Sequence, residues 1–152
     1  DLLSSSFPEK KGTFAENCAS YQKKLDTLDG RIAALFTGVR NKKFIQWHPA
    51  WDFFAADYGL TVAGTIESGH GDSPSLKSFR ALADMARREK ISVVVVDQYV
   101  QGGTAAALVR EIGGREVRLD SIGGPTEPGK SDYIGMMEQN ARILAGALAG
   151  AR

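Results

Sequence analysis

The stretch Ile91-Ser92-Val93-Val94-Val95-Val96 decides the fold of this chain. Its four consecutive valines do not alternate with polar residues, as the side chains of a half-exposed strand would. A continuous apolar run of this kind is typical of a parallel strand that is covered on both faces. We therefore predict a strand over residues 91–96, in the interior of a parallel sheet.

Shorter apolar runs lie on both sides of this strand and alternate with helical patterns. We predict further strands over residues 42–47, 61–66 and 116–119, and helices over residues 50–58, 76–90, 104–112 and 132–148. Alternation of strand and helix implies right-handed βαβ units and a parallel sheet layered with helices. The prediction is a small three-layer α/β domain with a four-stranded parallel sheet.

A long amphipathic helix is predicted before the first strand, over residues 14–36. Its apolar and small residues recur three or four positions apart, and they are Phe14, Cys18, Tyr21, Leu25, Leu28, Ile32 and Leu35. Because Cys18 lies on this apolar face, we predict a buried structural thiol there. The chain then divides into an N-terminal segment with the long helix, residues 1–38, and an α/β lobe, residues 39–152.

Charge balance and cysteine content exclude several classes of function. Nineteen Lys and Arg against eighteen Asp and Glu give a net charge of +1, and no stretch combines basic with aromatic residues, so nucleic acid is not an expected partner. One cysteine allows no internal disulfide and no multi-cysteine zinc cage. The chain starts at Asp1 without an initiator methionine or a signal peptide, so we expect it to be cut from something longer.

Polar side chains follow each of the four predicted strands. His48 comes after the first strand, Glu67 after the second, Asp97 after the third and Asp120 after the fourth. Ligands of open parallel sheets bind beyond the carboxyl ends of the strands, where these residues lie. One imidazole and three carboxylates are ligand types that divalent zinc, manganese or iron(II) accept.

Each of these residues also has a structural explanation. His48 precedes Pro49 and lies between two tryptophans, so it is either a shielded metal ligand or a core histidine bonded to the backbone. Asp120 precedes a glycine-containing loop that allows close approach to an ion, or it forms an Asx turn. We expect Asp97 to cap a helix and Glu67 to be solvated. His70, between two glycines, is an exposed histidine or an auxiliary metal contact.

The fingerprints of common enzymes do not account for these residues. No G-x-G-x-x-G motif follows a strand, Gly123-Gly124 lies in a proline-containing loop, and no G-x-S-x-G elbow is present. The sequence therefore shows no recognisable catalytic machinery, and an enzyme is not expected.

Several segments resemble one known family. Residues 47–55 read Trp-His-Pro-Ala-Trp-Asp-Phe-Phe-Ala, before Tyr58-Gly59-Leu60; residues 120–123 read Asp-Ser-Ile-Gly; and residues 128–133 read Pro-Gly-Lys-Ser-Asp-Tyr, before Met136-Met137 and Asn140. With Phe14-Ala15-Glu16-Asn17, Tyr21 and Leu25, these are similar, in the right order, to the C-terminal lobe of the zinc/manganese-binding proteins of bacterial ABC importers, the cluster A-I solute-binding family.

The resemblance implies two α/β lobes that are joined by one long helix and hold a divalent ion in the cleft, with two ligands from each lobe. It implies that His48 is the third ligand and Asp120 the fourth, and that the helix over residues 14–36 is the end of the interlobe helix. The N-terminal lobe with its two histidine ligands would then be absent from this sequence, so tight binding by this chain by itself is not expected.

The same resemblance implies a receptor in the periplasm or on the outer face of the cytoplasmic membrane. Its cargo would be a divalent metal ion, with Zn(II) favoured and Mn(II) or Fe(II) compatible. The implied partners are the ABC permease and either the missing N-terminal lobe or a second copy of the chain. In a sheet of order 2-1-3-4, the first and fourth strands are about 10 Å apart, so His48 and Asp120 would have to lean toward each other.

Two other functions stay open at this point. One is a non-metal α/β domain, either a small-molecule sensor or an enzyme that uses the strand-end carboxylates. The other is a structural fragment that pairs through the surface left bare by a missing lobe.

Overall fold

A computed structural model describes residues 2–67, 74–99, 103–124 and 132–150. Its centre is a four-stranded sheet of β1 (Lys43–Gln46), β2 (Thr61–Thr65), β3 (Val93–Asp97) and β4 (Arg115–Leu119). All strand pairs are parallel, and the order is β2-β1-β3-β4. The predicted fold class and all four strands are confirmed.

Helices cover both faces of this sheet. The helices of the described residues are α1 (Leu2–Ser6), α2 (Lys11–Leu35), α3 (Asp52–Asp57), α4 (Leu76–Arg88), α5 (Gly103–Ile112) and α6 (Tyr133–Ala149), with a 3-10 turn over Pro8–Lys10. The long helix and the four later ones were predicted, whereas α1 and the 3-10 turn were not. In the described part of the chain, no helix is both long enough and apolar enough to cross a membrane.

The central strand has a hydrophobic cluster on each side. Val93 and Val95 pack in the cluster that contains Leu28 and Ile32 of α2 and Leu144 of α6. Val94 and Val96 face the other cluster, which α4 and α5 complete. All four valines of β3 are at most 1% exposed. This burial on both faces explains why the strand carries no polar alternation.

Only the C-terminal part of α2 packs on the lobe. Leu28 and Ile32 are its buried residues, while Tyr21 is 45% exposed. Cys18 is exposed as well, so the predicted buried thiol is wrong. The apolar period indicated a face that can be covered, but the described body of the lobe reaches only the last turns of the helix.

Polar and aromatic contacts fix those last turns of α2. The Tyr58 hydroxyl donates to Asp29 Oδ1 at 2.9 Å, and Arg31 pairs with Glu138 of α6 at 3.4 Å. Phe36, just after the helix, meets Phe54 of α3 edge-on with ring centroids 6.0 Å apart. The end of α2 is therefore anchored to α3 and α6, the helices beside the edge of the sheet where the strands have their carboxyl ends.

Candidate functional site

The loop that carries His48 is attached to the sheet on both sides. The Trp47 amide donates to the Val95 carbonyl at 2.8 Å, and the Trp47 carbonyl accepts from the Glu67 amide at 2.9 Å. His48 accepts from the Ala50 amide at 2.8 Å through its own carbonyl, which closes a tight turn before α3. This turn explains why α3 begins at Asp52, two residues later than predicted.

A buried glutamine underlies this loop. Gln46, the last residue of β1, is fully buried, and its Oε1 accepts from the Trp51 amide at 3.1 Å. Its Nε2 donates to Asp52 Oδ2 at 2.9 Å and to Thr65 Oγ1 at 3.1 Å. Gln46 thereby ties the end of β1 to the start of α3 and to β2. The sequence signal for it was one amide in an otherwise buried strand, directly before His48.

The His48 side chain is half-exposed and meets a buried carboxylate. Its exposed fraction is 40%, and Trp47 approaches the imidazole edge-on with centroids 6.1 Å apart. His48 Nε2 lies 3.6 Å from Glu67 Oε2. His48 and Glu67 therefore meet where the neighbouring strands β1 and β2 end. The alternative of a core histidine is not what the structure has.

Glu67 is buried, which contradicts the expectation of a solvated side chain. Its exposed fraction is 9%. The physical reason is that pairing between β1 and β2 continues beyond Thr65: the Ile66 amide donates to the Gln46 carbonyl at 2.9 Å before the Glu67 amide donates to Trp47. The Glu67 backbone therefore continues the ladder and is not part of a free loop.

Hydrogen bonds to Asn140, Ile122 and Gly123 hold Asp120 in place. Its amide donates to Asn140 Oδ1 at 2.9 Å, and its carbonyl accepts from Asn140 Nδ2 at 2.6 Å. Its Oδ1 accepts from the Ile122 and Gly123 amides at 3.0 and 2.8 Å. Asp120 and Asn140 are each 1% exposed. Asp120 thus forms the Asx turn that was one of its two explanations, and a buried side chain from α6 fixes its backbone.

A glycine with positive φ ends the Asx turn. Gly123 has φ +74°, a left-handed conformation that costs a residue with a side chain about 1 kcal/mol or more. The positive φ of Gly123 sets the direction of the chain that follows the turn, while its amide donates to Asp120 Oδ1. Glycine at this position therefore lets the chain leave the turn in a left-handed conformation without that cost.

A cleft of about 300 Å³ opens beside Asp120. Its walls include Trp51 and Tyr58 from the α3 side and Tyr133 and Met136 from α6. Aromatic and thioether side chains exclude water from a carboxylate and strengthen its electrostatic interactions. His48 does not line this cleft, and its Nε2 lies 3.6 Å from Glu67 Oε2.

Asp97 links the ends of β3 and β4. Its Oδ1 accepts from the Ser121 hydroxyl at 2.5 Å. We expected a helix cap, but the bond that the structure describes joins two strand-end loops instead. His70 falls within residues 68–73 and lies outside the described residues, so its role stays a prediction.

A glycine-containing segment follows the Asp120 loop in the sequence. Residues 124–131 read Gly-Pro-Thr-Glu-Pro-Gly-Lys-Ser, which has the spacing of a phosphate-binding loop. Such a loop connects a strand directly to a helix, whereas β4 ends at Leu119 and residues 125–131 lie outside the described residues. The match by itself therefore does not indicate a phosphate site.

The candidate metal ligands at the carboxyl ends of the strands lie in two separate places. His48 and Glu67 meet at β1 and β2, while Asp120 lies at the end of β4, beyond β3. Across residues 2–67, 74–99, 103–124 and 132–150, no three His, Cys, Asp or Glu side chains are grouped so that they could hold a metal ion. The assignment of His48 and Asp120 as ligands stays a prediction.

Sequence comparisons give a consistent set of relatives. A family described as "Zinc-uptake complex component A periplasmic" matches residues 1–147. The zinc-binding lipoprotein AdcA of Streptococcus pneumoniae is 29% identical over 147 residues, which cover 95% of this chain and 29% of AdcA. The high-affinity zinc uptake system protein ZnuA of Paracoccus denitrificans is 26% identical over 152 residues, which cover 97% of this chain and 46% of that protein. The chain thus spans less than half the length of these two relatives.

Solved structures share the fold. A crystal structure of ZnuA matches with a TM-score of 0.83 and 25% identity, over 97% of this chain and 54% of that one. The periplasmic zinc binding protein TroA from Treponema pallidum matches with a TM-score of 0.82 and 21% identity, over 97% of this chain and 57% of that one. In both cases the likeness covers little more than half of the solved chain.

Proposed function

Because the chain belongs to the family of periplasmic A components of zinc-uptake complexes, we propose that it is the C-terminal lobe of a metal receptor of an ABC importer. The receptor captures Zn(II) in the periplasm or on the outer face of the cytoplasmic membrane and delivers it to the permease. Residues 1–38 supply the end of the interlobe helix, and residues 39–152 form the lobe. A second lobe supplies the remaining ligands.

The observation that carries this proposal is the arrangement of His48 and Asp120 on one sheet edge. Both follow strands of the same parallel sheet. Trp47, directly before His48, is bonded to Val95 and Glu67 through its backbone, and the Asp120 backbone is held by Asn140. Ligands held in place before the ion arrives lose little freedom on binding. An imidazole nitrogen and a carboxylate oxygen suit zinc, and manganese and iron(II) accept the same pair.

The exposed part of α2 supports a second lobe. Exposed apolar side chains lie along and before this helix, among them Leu3, Phe7 and Tyr21. A helix whose apolar face is only partly covered by its own domain requires another cover. The N-terminal lobe of the same receptor fits this requirement, and a second copy of the chain is the alternative.

The activity that follows is ligand exchange, without making or breaking a covalent bond. The receptor closes on an ion, carries it to the permease and opens. His48 is half-exposed and so is accessible to an arriving ion, whereas Asp120 is buried behind its loop. On this proposal His48 meets the ion first and Asp120 completes the contribution of this lobe.

The proposal is tested by replacing His48 or Asp120 with Ala in the full-length receptor. We expect either change to weaken zinc binding by more than about 100-fold. Mutating a residue that only hydrogen-bonds to a metal ligand already lowers metal affinity by about 10- to 100-fold. Asp84→Ala is the matched control, since Asp84 lies on α4 with a 64% exposed side chain. Titration calorimetry measures the affinities and circular dichroism checks the fold. Wild-type affinity in both the His48 and Asp120 variants would refute the proposal.

A further inference from the structure

His48 and Glu67 are spaced as two donors of one metal ion. The 3.6 Å between His48 Nε2 and Glu67 Oε2 exceeds the usual hydrogen-bond range of about 2.7–3.2 Å. A zinc ion binds imidazole nitrogen at about 2.0–2.1 Å and carboxylate oxygen at about 2.0–2.2 Å, and a tetrahedral angle then separates the two donor atoms by about 3.4 Å. The observed separation lies close to this value.

We infer that Glu67 is a further ligand, through one carboxylate oxygen, for the ion that His48 binds. The inference rests on the proposed function, because it takes His48 to be a metal ligand. It adds a donor from β2 to those expected from β1 and β4. This lobe would then contribute three protein ligands.

The strand order places Glu67 better than Asp120 for this role. Neighbouring parallel strands are about 4.8 Å apart. Glu67 follows β2, which is adjacent to β1, whereas Asp120 follows β4, two strands from β1 on the other side. An ion on His48 therefore has Glu67 as its nearest strand-end carboxylate, and the Asp120 loop approaches it from the opposite side.

Burial and backbone attachment support the same role. Glu67 is 9% exposed, so a bond between its carboxylate and an ion on His48 would be shielded from water. Its amide is fixed on the Trp47 carbonyl, in the loop that carries His48. The two side chains are therefore positioned by one continuous ladder, and their separation is set by the sheet.

A second carboxylate also changes what the site selects. Oxygen donors suit manganese and other hard cations, whereas nitrogen donors favour zinc. Glu67 would thus widen the range of ions that this lobe accepts. Replacing it with histidine would keep a zinc ligand and disfavour manganese.

The test uses the full-length receptor with Glu67→Gln, Glu67→His and, as a matched control, Glu89→Gln. Glu89 is a carboxylate at the opposite edge of the sheet, where it pairs with Lys43 at 2.8 Å. We expect E67Q to weaken zinc binding at least 10-fold, E67H to restore zinc but not manganese binding, and E89Q to change neither. A crystal structure of the zinc-loaded receptor should place a Glu67 oxygen within about 2.2 Å of zinc.

Several outcomes would overturn the inference. Unchanged zinc affinity in E67Q, while His48→Ala still weakens binding, would remove Glu67 from the site and leave the proposed function intact. Weaker binding in E67Q without rescue in E67H, or a zinc-loaded structure with Glu67 beyond coordination distance, would make Glu67 a positioning residue instead. Wild-type affinity in both the His48→Ala and Asp120→Ala receptors would refute the proposed function and the inference with it.

Discussion

Replacing Asn140 with Ala removes the two hydrogen bonds that hold the Asp120 backbone. Both bonds are buried, at 2.9 and 2.6 Å, and the change leaves one N–H and one carbonyl of Asp120 without the side chain that pairs them. An unsatisfied buried polar group costs about 1–3 kcal/mol, so we expect the free energy of unfolding to fall by about 2–6 kcal/mol. The free energy of unfolding of a domain is usually about 5–15 kcal/mol, so the expected loss is a large share of the total stability.

The measurement is urea denaturation of the purified chain, followed by tryptophan fluorescence. Asn41→Ala is a matched control, because Asn41 makes the same two kinds of bond, to the Lys90 carbonyl at 2.8 Å and from the Lys43 amide at 3.2 Å, at a site that water reaches. We expect about 1 kcal/mol or less for Asn41→Ala. If the Asn140 variant loses no more stability than the Asn41 variant, Asn140 does not hold this loop and the reasoning fails.

Two further predictions concern stability. Gly114→Ala should destabilise the protein by about 1–3 kcal/mol, because the new Cβ would lie 2.4 Å from the Ser92 carbonyl oxygen. Gly146→Ala, which has open space on α6, should be neutral or stabilising by up to about 1 kcal/mol. Equal melting temperatures of the two variants would contradict this. Burial and the hydrogen bond to Asp29 raise the pKa of Tyr58, so the stability that its neutral hydroxyl contributes is complete below about pH 10 and is lost as pH rises further. Tyr58→Phe should therefore lose less stability than the wild type above that pH in thermal melts. The same decline of melting temperature with pH in both proteins would refute this.

The sheet could be predicted because its signals are local. Four valines in a row identify β3, and alternation with helices identifies the parallel topology without knowledge of any contact. Helix ends were less accurate where a turn competes with the helix. The start of α3 is an example, since the His48 carbonyl accepts from the Ala50 amide and delays the helix to Asp52.

Side-chain environments could not be predicted in the same way, because they depend on residues far away in the chain. Glu67 was expected in solvent and is buried, since the β1–β2 ladder continues past Thr65. Cys18 was expected to be buried and is exposed, since a helical period does not say what covers it. Asn140 had no predicted role, because its partner Asp120 is twenty residues away.

The positions of His48 and Asp120 at strand ends could be predicted, but their surroundings could not. A parallel sheet places both residues on one edge. The pairing of His48 with Glu67 and the fixing of Asp120 by Asn140 depend on how loops and α6 pack on that edge. Such packing has no short sequence signature, apart from a polar residue where an apolar one is expected.

The fixed backbone of Asp120 bears on how long a cargo ion would stay bound. A carboxylate that folding has already oriented has little entropy left to lose, and such pre-organisation lengthens residence time more than it speeds association. The Asp120 carboxylate cannot turn away from an ion without breaking its hydrogen bonds to the Ile122 and Gly123 amides, and Asn140 holds the backbone that carries it. On the proposed function, release of the ion therefore starts at the more accessible donors, which are His48 and those of the second lobe. Asp120 is the last ligand to dissociate from the ion.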